Sequence, residues 1–141
     1  MKNNAFLIDS NVLIAAYQKS NSQHEKASRL LWSLRELQPK TNPLVAQEVC
    51  TVLLLRTNNL QFVNQVTKDL FFDSQPLVKL SVLSTQLWQS AHQVFSTQPD
   101  SKLSFADCSL IAQARLEGVT RIATLDSDLK KTYEGEFDFY S

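Results

Sequence analysis

The chain opens on a short unbroken apolar run, Ala5-Phe6-Leu7-Ile8, followed at once by the polar cluster Asp9-Ser10-Asn11. So short a run, so sharply bounded, predicts a strand buried on both faces that hands over to a helix through Val12 to Tyr17. From Ser22 to Gln38 the apolar positions change period: Ala27, Leu30, Leu31, Leu34 and Leu37 fall on one helical face, and Pro39 stops the pattern. Asn42-Pro43 predicts an N-cap and a first helical proline, opening a helix to about Arg56. A further helix is expected over Leu60 to Phe72. Leu77 to Val82 has the composition of a second buried strand, and Leu87, Trp88, Ala91, Val94 and Phe95 restore helical spacing between Ser84 and Thr97. After the loop-like stretch from Ser96 to Lys102, Ser104 begins a helix that Gly118 should cap. Arg121 to Leu125 is the third strand candidate, Ser127 to Lys131 a helical turn, and Phe137 to Tyr140 a final edge strand.

Strands separated by helices predict an α/β fold, a three-layer α/β/α sandwich around a mainly parallel sheet. With 141 residues, 43% of them hydrophobic, one domain spanning residues 1–141 is expected. The N-terminal apolar stretch is interrupted by Asp9-Ser10-Asn11, which fits neither a signal segment nor a membrane span, so a cytoplasmic protein with no membrane partner is expected.

Composition removes several kinds of chemistry. Two glycines, Gly118 and Gly135, cannot build a phosphate-wrapping loop, which excludes Walker-type and dinucleotide sites. His24 and His92 are far apart and lack the spacing of a zinc hydrolase. Cys50 and Cys108 stand alone in separate helices and are expected to be small buried hydrophobes. Fourteen basic residues balance fourteen acidic ones, so any binding of nucleic acid must draw on a local field.

The acids are where the pattern breaks. Asp9 and Asp126 end apolar strands, at the sheet edge where α/β folds collect ligands. At about 100° per residue, Glu48 falls between Leu44, Val52 and Leu55, and Asp107 between Leu110, Ile111 and Ala114, so both are expected to point inward. Unpaired buried carboxylates cost several kcal/mol each, and no lysine or arginine shares their faces. A hard divalent cation, Mg²⁺ or Mn²⁺, suits such an all-oxygen set. Each acid also has a purely structural alternative. Asp107 completes a Ser104-x-x-Asp107 capping box, Asp9 and Asp126 can cap the helices after their strands, and Glu48 can reach solvent. Asp128 either joins the set or caps the turn carrying Lys130 and Lys131.

Four segments carry a resemblance. Phe6-Leu-Ile-Asp-Ser-Asn-Val-Leu, Val45-Ala-Gln-Glu-Val, Leu103-Ser-Phe-Ala-Asp-Cys-Ser-Leu-Ile-Ala and Ile122-Ala-Thr-Leu-Asp-Ser-Asp-Leu resemble, in order, the four motifs of PIN-domain nucleases, particularly VapC-type toxins. The resemblance implies that Asp9, Glu48, Asp107 and Asp126 are catalytic, metal-binding carboxylates. It makes Asp128 an accessory metal ligand, Ser10 and Asn11 orienting residues, and Thr124 a hydroxyl near the centre. Leu129 departs from the phenylalanine many relatives carry there, a core change. The implied activity is metal-dependent endonucleolytic cleavage of single-stranded or looped RNA, restrained by an antitoxin partner. Arg29, Arg56, Lys102, Arg115, Lys130 and Lys131 are candidate backbone contacts. Trp32, opposite the leucines of its helix, is a candidate anchor for a partner or a homodimer, or is covered by a loop. An aspartyl phosphatase would need a second acid where Asn11 stands; the remaining alternative is an inactive PIN-like module that binds RNA or protein.

Overall fold

The computed structural model describes residues 5–100 and 102–141. β1 (Phe6–Ile8) runs through the centre of a five-stranded sheet with β2 (Lys40–Thr41) and β3 (Lys79–Leu80) on one side and β4 (Arg121–Ala123) and β5 (Asp138–Tyr140) on the other. Every pairing is parallel. The strand order β3-β2-β1-β4-β5 places the point where the winding reverses between β1 and β4. Alternation along β1 builds both faces: Phe6 and Ile8 enter one hydrophobic cluster and Leu7 the other.

The first cluster is covered by α1 (Ser10–Tyr17), α2 (His24–Leu34), most of the buried face of α3 (Pro43–Thr57) and α4 (Leu60–Thr67). The second is covered by α5 (Thr85–Ser96), α6 (Phe105–Glu117) and α7 (Ser127–Tyr133). The layered α/β/α architecture is the one the alternating pattern predicts, with a sheet that is wholly parallel. Among the described residues no helix is long and apolar enough to cross a membrane.

Several expectations need correction. The Lys40–Thr41 strand has no hydrophobic signature and forms because Pro39 and Thr41 carbonyls accept from Lys79 and Ser81. The strand expected over 77–82 shrinks to Lys79–Leu80, and Val82 is exposed. The helix expected from Ser22 begins at His24 and tightens after Leu34 into a single 3-10 turn, Arg35–Leu37, which leaves Leu37 exposed. Likewise α4 gives way to a π-helical turn, Lys68–Phe72, that turns Phe72 outward. Trp88 and Phe95 lie outside the core and pack on the Phe105 ring at 5.0 and 5.7 Å. Cys108 is buried, but Cys50 is only half-buried.

Asn42 ties the layers together. Its Oδ1 accepts from the Leu44 and Val45 N–H groups, capping α3, while Nδ2 donates to Ser109 Oγ at 3.2 Å and Gln113 Oε1 at 3.0 Å on α6. Gln113 in turn donates to the Thr41 carbonyl and the Ser81 hydroxyl. Asn42→Ala removes a cap and leaves buried partners unpaired, so chemical denaturation should show a loss of about 2 kcal/mol.

Candidate metal centre

The carboxyl ends of β1 and β4 open beneath a cleft of about 460 Å³, lined among others by Ser10, Asn11, Glu48, Lys102, Asp107 and Asp126. Asp9 lies under its floor with no exposed surface, directly after β1, where its N–H donates to the Ala123 carbonyl at 2.9 Å. Three neighbours fix its carboxylate. Ser10 N–H donates to Oδ1 at 2.7 Å, and the Thr124 hydroxyl and Asn11 Nδ2 donate to Oδ2 at 2.7 and 3.2 Å. Thr124 is held in turn by donation from Asn11 Nδ2 and the Asp126 N–H, and Asn11 Oδ1 accepts from Leu125 N–H. The first and fourth motifs are thus stitched across the β1–β4 crevice.

Glu48 comes from α3. The buried stripe of that helix is Val45, Ala46, Val49 and Leu53, whereas Leu55 is 78% exposed, so Glu48 sits at the stripe's edge and not at its centre. There its Oε2 accepts from the Ser10 hydroxyl at 2.7 Å. Asp107 occupies the third position of α6, where the structural alternative is also realised: Ser104 Oγ accepts from Asp107 N–H, and Asp107 Oδ2 accepts from Ser104 N–H, both at 3.1 Å. Asp126 caps α7 through Oδ1, which accepts from Asp128 and Leu129 N–H groups. Capping uses only part of each carboxylate's acceptor capacity, so the cap and a second role coexist. The structure does not bring Asp128 to the cleft; it is exposed and its backbone N–H serves Asp126. Leu129 is fully buried.

The electrostatics are those of a cluster lacking counter-charge. Burial, then the charge on Asp107 and, more weakly, that on Glu48 push Asp9 up to about 7, against the pull of the Thr124 and Ser10 hydrogen bonds. Asp107 is pushed up to about 6, chiefly by burial and then by Glu48 and Asp126, while its Ser104 hydrogen bonds act the other way. Arg56 and Lys102 line the cleft but bridge to none of these acids within salt-bridge distance. As they stand, no three His, Cys, Asp or Glu side chains among the described residues are arranged to hold a metal ion. The donor set nevertheless fits a hard cation: all oxygen, mutually repelling and joined by no salt bridge among the described residues.

Of the cations considered from sequence, only Arg56 and Lys102 line the cleft. Lys102 precedes Leu103, whose N–H donates to the Gln98 amide oxygen and whose carbonyl accepts from the Gln98 amide nitrogen. Arg115 is engaged instead with Glu136 through two 2.7 Å hydrogen bonds. Sequence reasoning missed Asn21 and Gln23, which also line the cleft and carry no charge or periodicity to announce them. Trp32 is exposed, with the Arg35 guanidinium stacked 3.6 Å from its ring centroid, and so is not sheltered in the core.

A PIN domain family model matches residues 6–135, which takes in all four acids and the crevice between β1 and β4. The chain belongs to the PIN domain family. No curated protein matches it. Among solved structures, this PIN domain is similar to VapC20 of Mycobacterium tuberculosis, a sarcin–ricin-loop-cleaving toxin. The TM-score is 0.78 at 19% identity, over 89% of this chain and 93% of that one. It is also similar to a chain of VapBC2 from Rickettsia felis, solved with a DNA fragment from its promoter, with TM-score 0.69, 12% identity and coverage of 96% and 97%. A chain of FitAcB from Neisseria gonorrhoeae gives TM-score 0.65 at 17% identity, with 96% of each chain covered. At these identities the likeness establishes a shared PIN fold.

Proposed function

We propose that this PIN domain is a divalent-metal-dependent endoribonuclease, the toxin of a toxin–antitoxin pair, and that Asp9, Glu48, Asp107 and Asp126 hold Mg²⁺ or Mn²⁺. The observation that carries this is that Glu48, Asp107 and Asp126 come from three separate segments to line one cleft over the buried Asp9, with Asp9 and Asp107 driven well above the ordinary carboxylate range. Family membership and the likeness to a loop-cleaving toxin support the nuclease assignment, and the VapBC2 and FitAcB neighbours support an antitoxin as partner.

When bound, a hard divalent cation lowers the pKa of a water in the site and offsets the charge that builds on the scissile phosphate. The chain's own residues prepare the ground. Thr124, Asn11 and the Ser10 N–H hold Asp9 in one rotamer, and the Ser10 hydroxyl aims Glu48 toward it. The α6 N-terminus, closed by the Ser104 and Asp107 capping box, adds a favourable dipole at the cleft wall. Arg56 and Lys102 supply the positive rim that a phosphate backbone needs. The Ser10 hydroxyl is committed to orienting Glu48, and the attack on phosphorus is assigned to water.

Unstructured labelled RNA should be cut internally in Mn²⁺ or Mg²⁺ and left intact in chelator. Ser10→Ala, which frees Glu48 but removes no ligand, should slow cleavage about tenfold. RNA bound tightly but never cut in any divalent ion would instead favour an inactive RNA-binding module.

A further inference from the structure

A second hollow, of about 590 Å³, opens along α2 and is lined by Ser22, Glu25, Lys26 and Arg29 among others. It adjoins the cleft, because Asn21 and Gln23 line one and the intervening Ser22 lines the other. The turn at 21–23 is therefore a shared wall, fastened by Gln23 N–H donating to Asn21 Oδ1 and by His24 Nδ1 lying 2.8 Å from the Ala15 carbonyl oxygen.

Lys26 and Arg29, one turn apart on α2, bring two cations to the hollow's wall against one acidic side chain, Glu25, and neither cation forms a salt bridge among the described residues. Two like charges so close repel, which a polyanion laid along them would reverse.

We infer that single-stranded RNA bound in the cleft continues over the Asn21–Gln23 turn into this hollow, where Lys26 and Arg29 hold phosphates on one side of the scissile bond. This rests on the ribonuclease function proposed above. Arg56 and Lys102 would then serve the cleft itself, and the basic path of an overall neutral protein would be confined to one strip.

The test is equilibrium binding of fluorescent single-stranded RNA probes of about twelve and about four nucleotides, over a salt series, with Ca²⁺ present to offset the carboxylate charge. Lys26→Ala/Arg29→Ala should weaken the longer probe on the order of tenfold and reduce the salt slope by about 1.4, at about 0.7 per lost single-strand contact. The short probe, which the cleft alone accommodates, should bind both proteins equally, and Lys26→Arg/Arg29→Lys should restore the long probe. Arg56→Ala/Lys102→Ala should weaken both probes. If that variant loses affinity while the Lys26/Arg29 variant keeps both affinity and slope, the path is wrong and the nuclease assignment stands. If wild type binds neither probe, both fall.

Discussion

Asp9→Asn should lower Mn²⁺-dependent RNA cleavage by roughly 10³-fold or more, since a carboxylate that holds the metal is worth several kcal/mol of transition-state stabilisation and 1.36 kcal/mol is tenfold in rate. Single-turnover cleavage measures it, with circular dichroism as the control for folding. The fold should survive because two effects oppose each other. An amide at position 9 can still accept from the Ser10 N–H, but its nitrogen would face the Thr124 hydroxyl and Asn11 Nδ2 donors that now serve Asp9 Oδ2, losing about two buried hydrogen bonds. Against that, a fully buried charge disappears. Retained cleavage in a folded Asp9→Asn protein would sink the assignment of Asp9.

The metal-free protein should be least stable at neutral to alkaline pH, contrary to the usual behaviour of paired carboxylates. Asp9 and Asp107 have folded pKa values raised to about 7 and about 6, above the unfolded values near 4. Between those limits the folded state binds more protons than the unfolded one, so stability falls as pH rises from about 4 through 7 and then levels off. The two groups are coupled, the charge on Asp107 raising Asp9 directly, and solvent reaches Asp107, so the combined loss is on the order of 3 kcal/mol. Thermal unfolding in chelator at pH 5.5 and pH 8 measures it. Asp107→Asn retains the capping box, because an amide oxygen can accept from Ser104 N–H, yet removes one charge; above about pH 7 in chelator it should melt several degrees higher than wild type. An Asp107→Asn protein that melts lower, with a wild type insensitive to pH, would mean that capping outweighs repulsion.

The central half of the site was legible because its residues violate a local rule. Asp9 and Asp126 stop apolar strands, and parallel α/β topology sends such strand ends to one edge. Asp107 was legible twice over, as a capping-box residue and as an acid on an apolar helix. Glu48 was located by an argument that holds only in part: the helical angle is right, but Leu55 lies in solvent, so the apolar stripe was drawn too wide. Hydrophobicity says what could be buried, and packing decides what is. Lys40–Thr41 escaped notice because two residues carry no period, and it is strand only by virtue of its neighbours. The cations show the same limit. Composition supplies fourteen of them, whereas the fold decides that Arg56 and Lys102 line the cleft, that Arg115 is engaged with Glu136 and that Lys26 and Arg29 line the neighbouring hollow.

The most direct measurement is uptake of Mn²⁺ by the purified protein, followed through the loss of the free-ion paramagnetic resonance signal, for wild type, Asp9→Asn and Asp107→Asn at pH 8. Three carboxylates lining the cleft and Asp9 buried beneath it predict saturable uptake of at least one ion per wild-type chain, and affinity weakened by about tenfold or more in either variant. No saturable uptake by wild type, or equal uptake by all three proteins, would contradict a metal centre at the β1–β4 crevice.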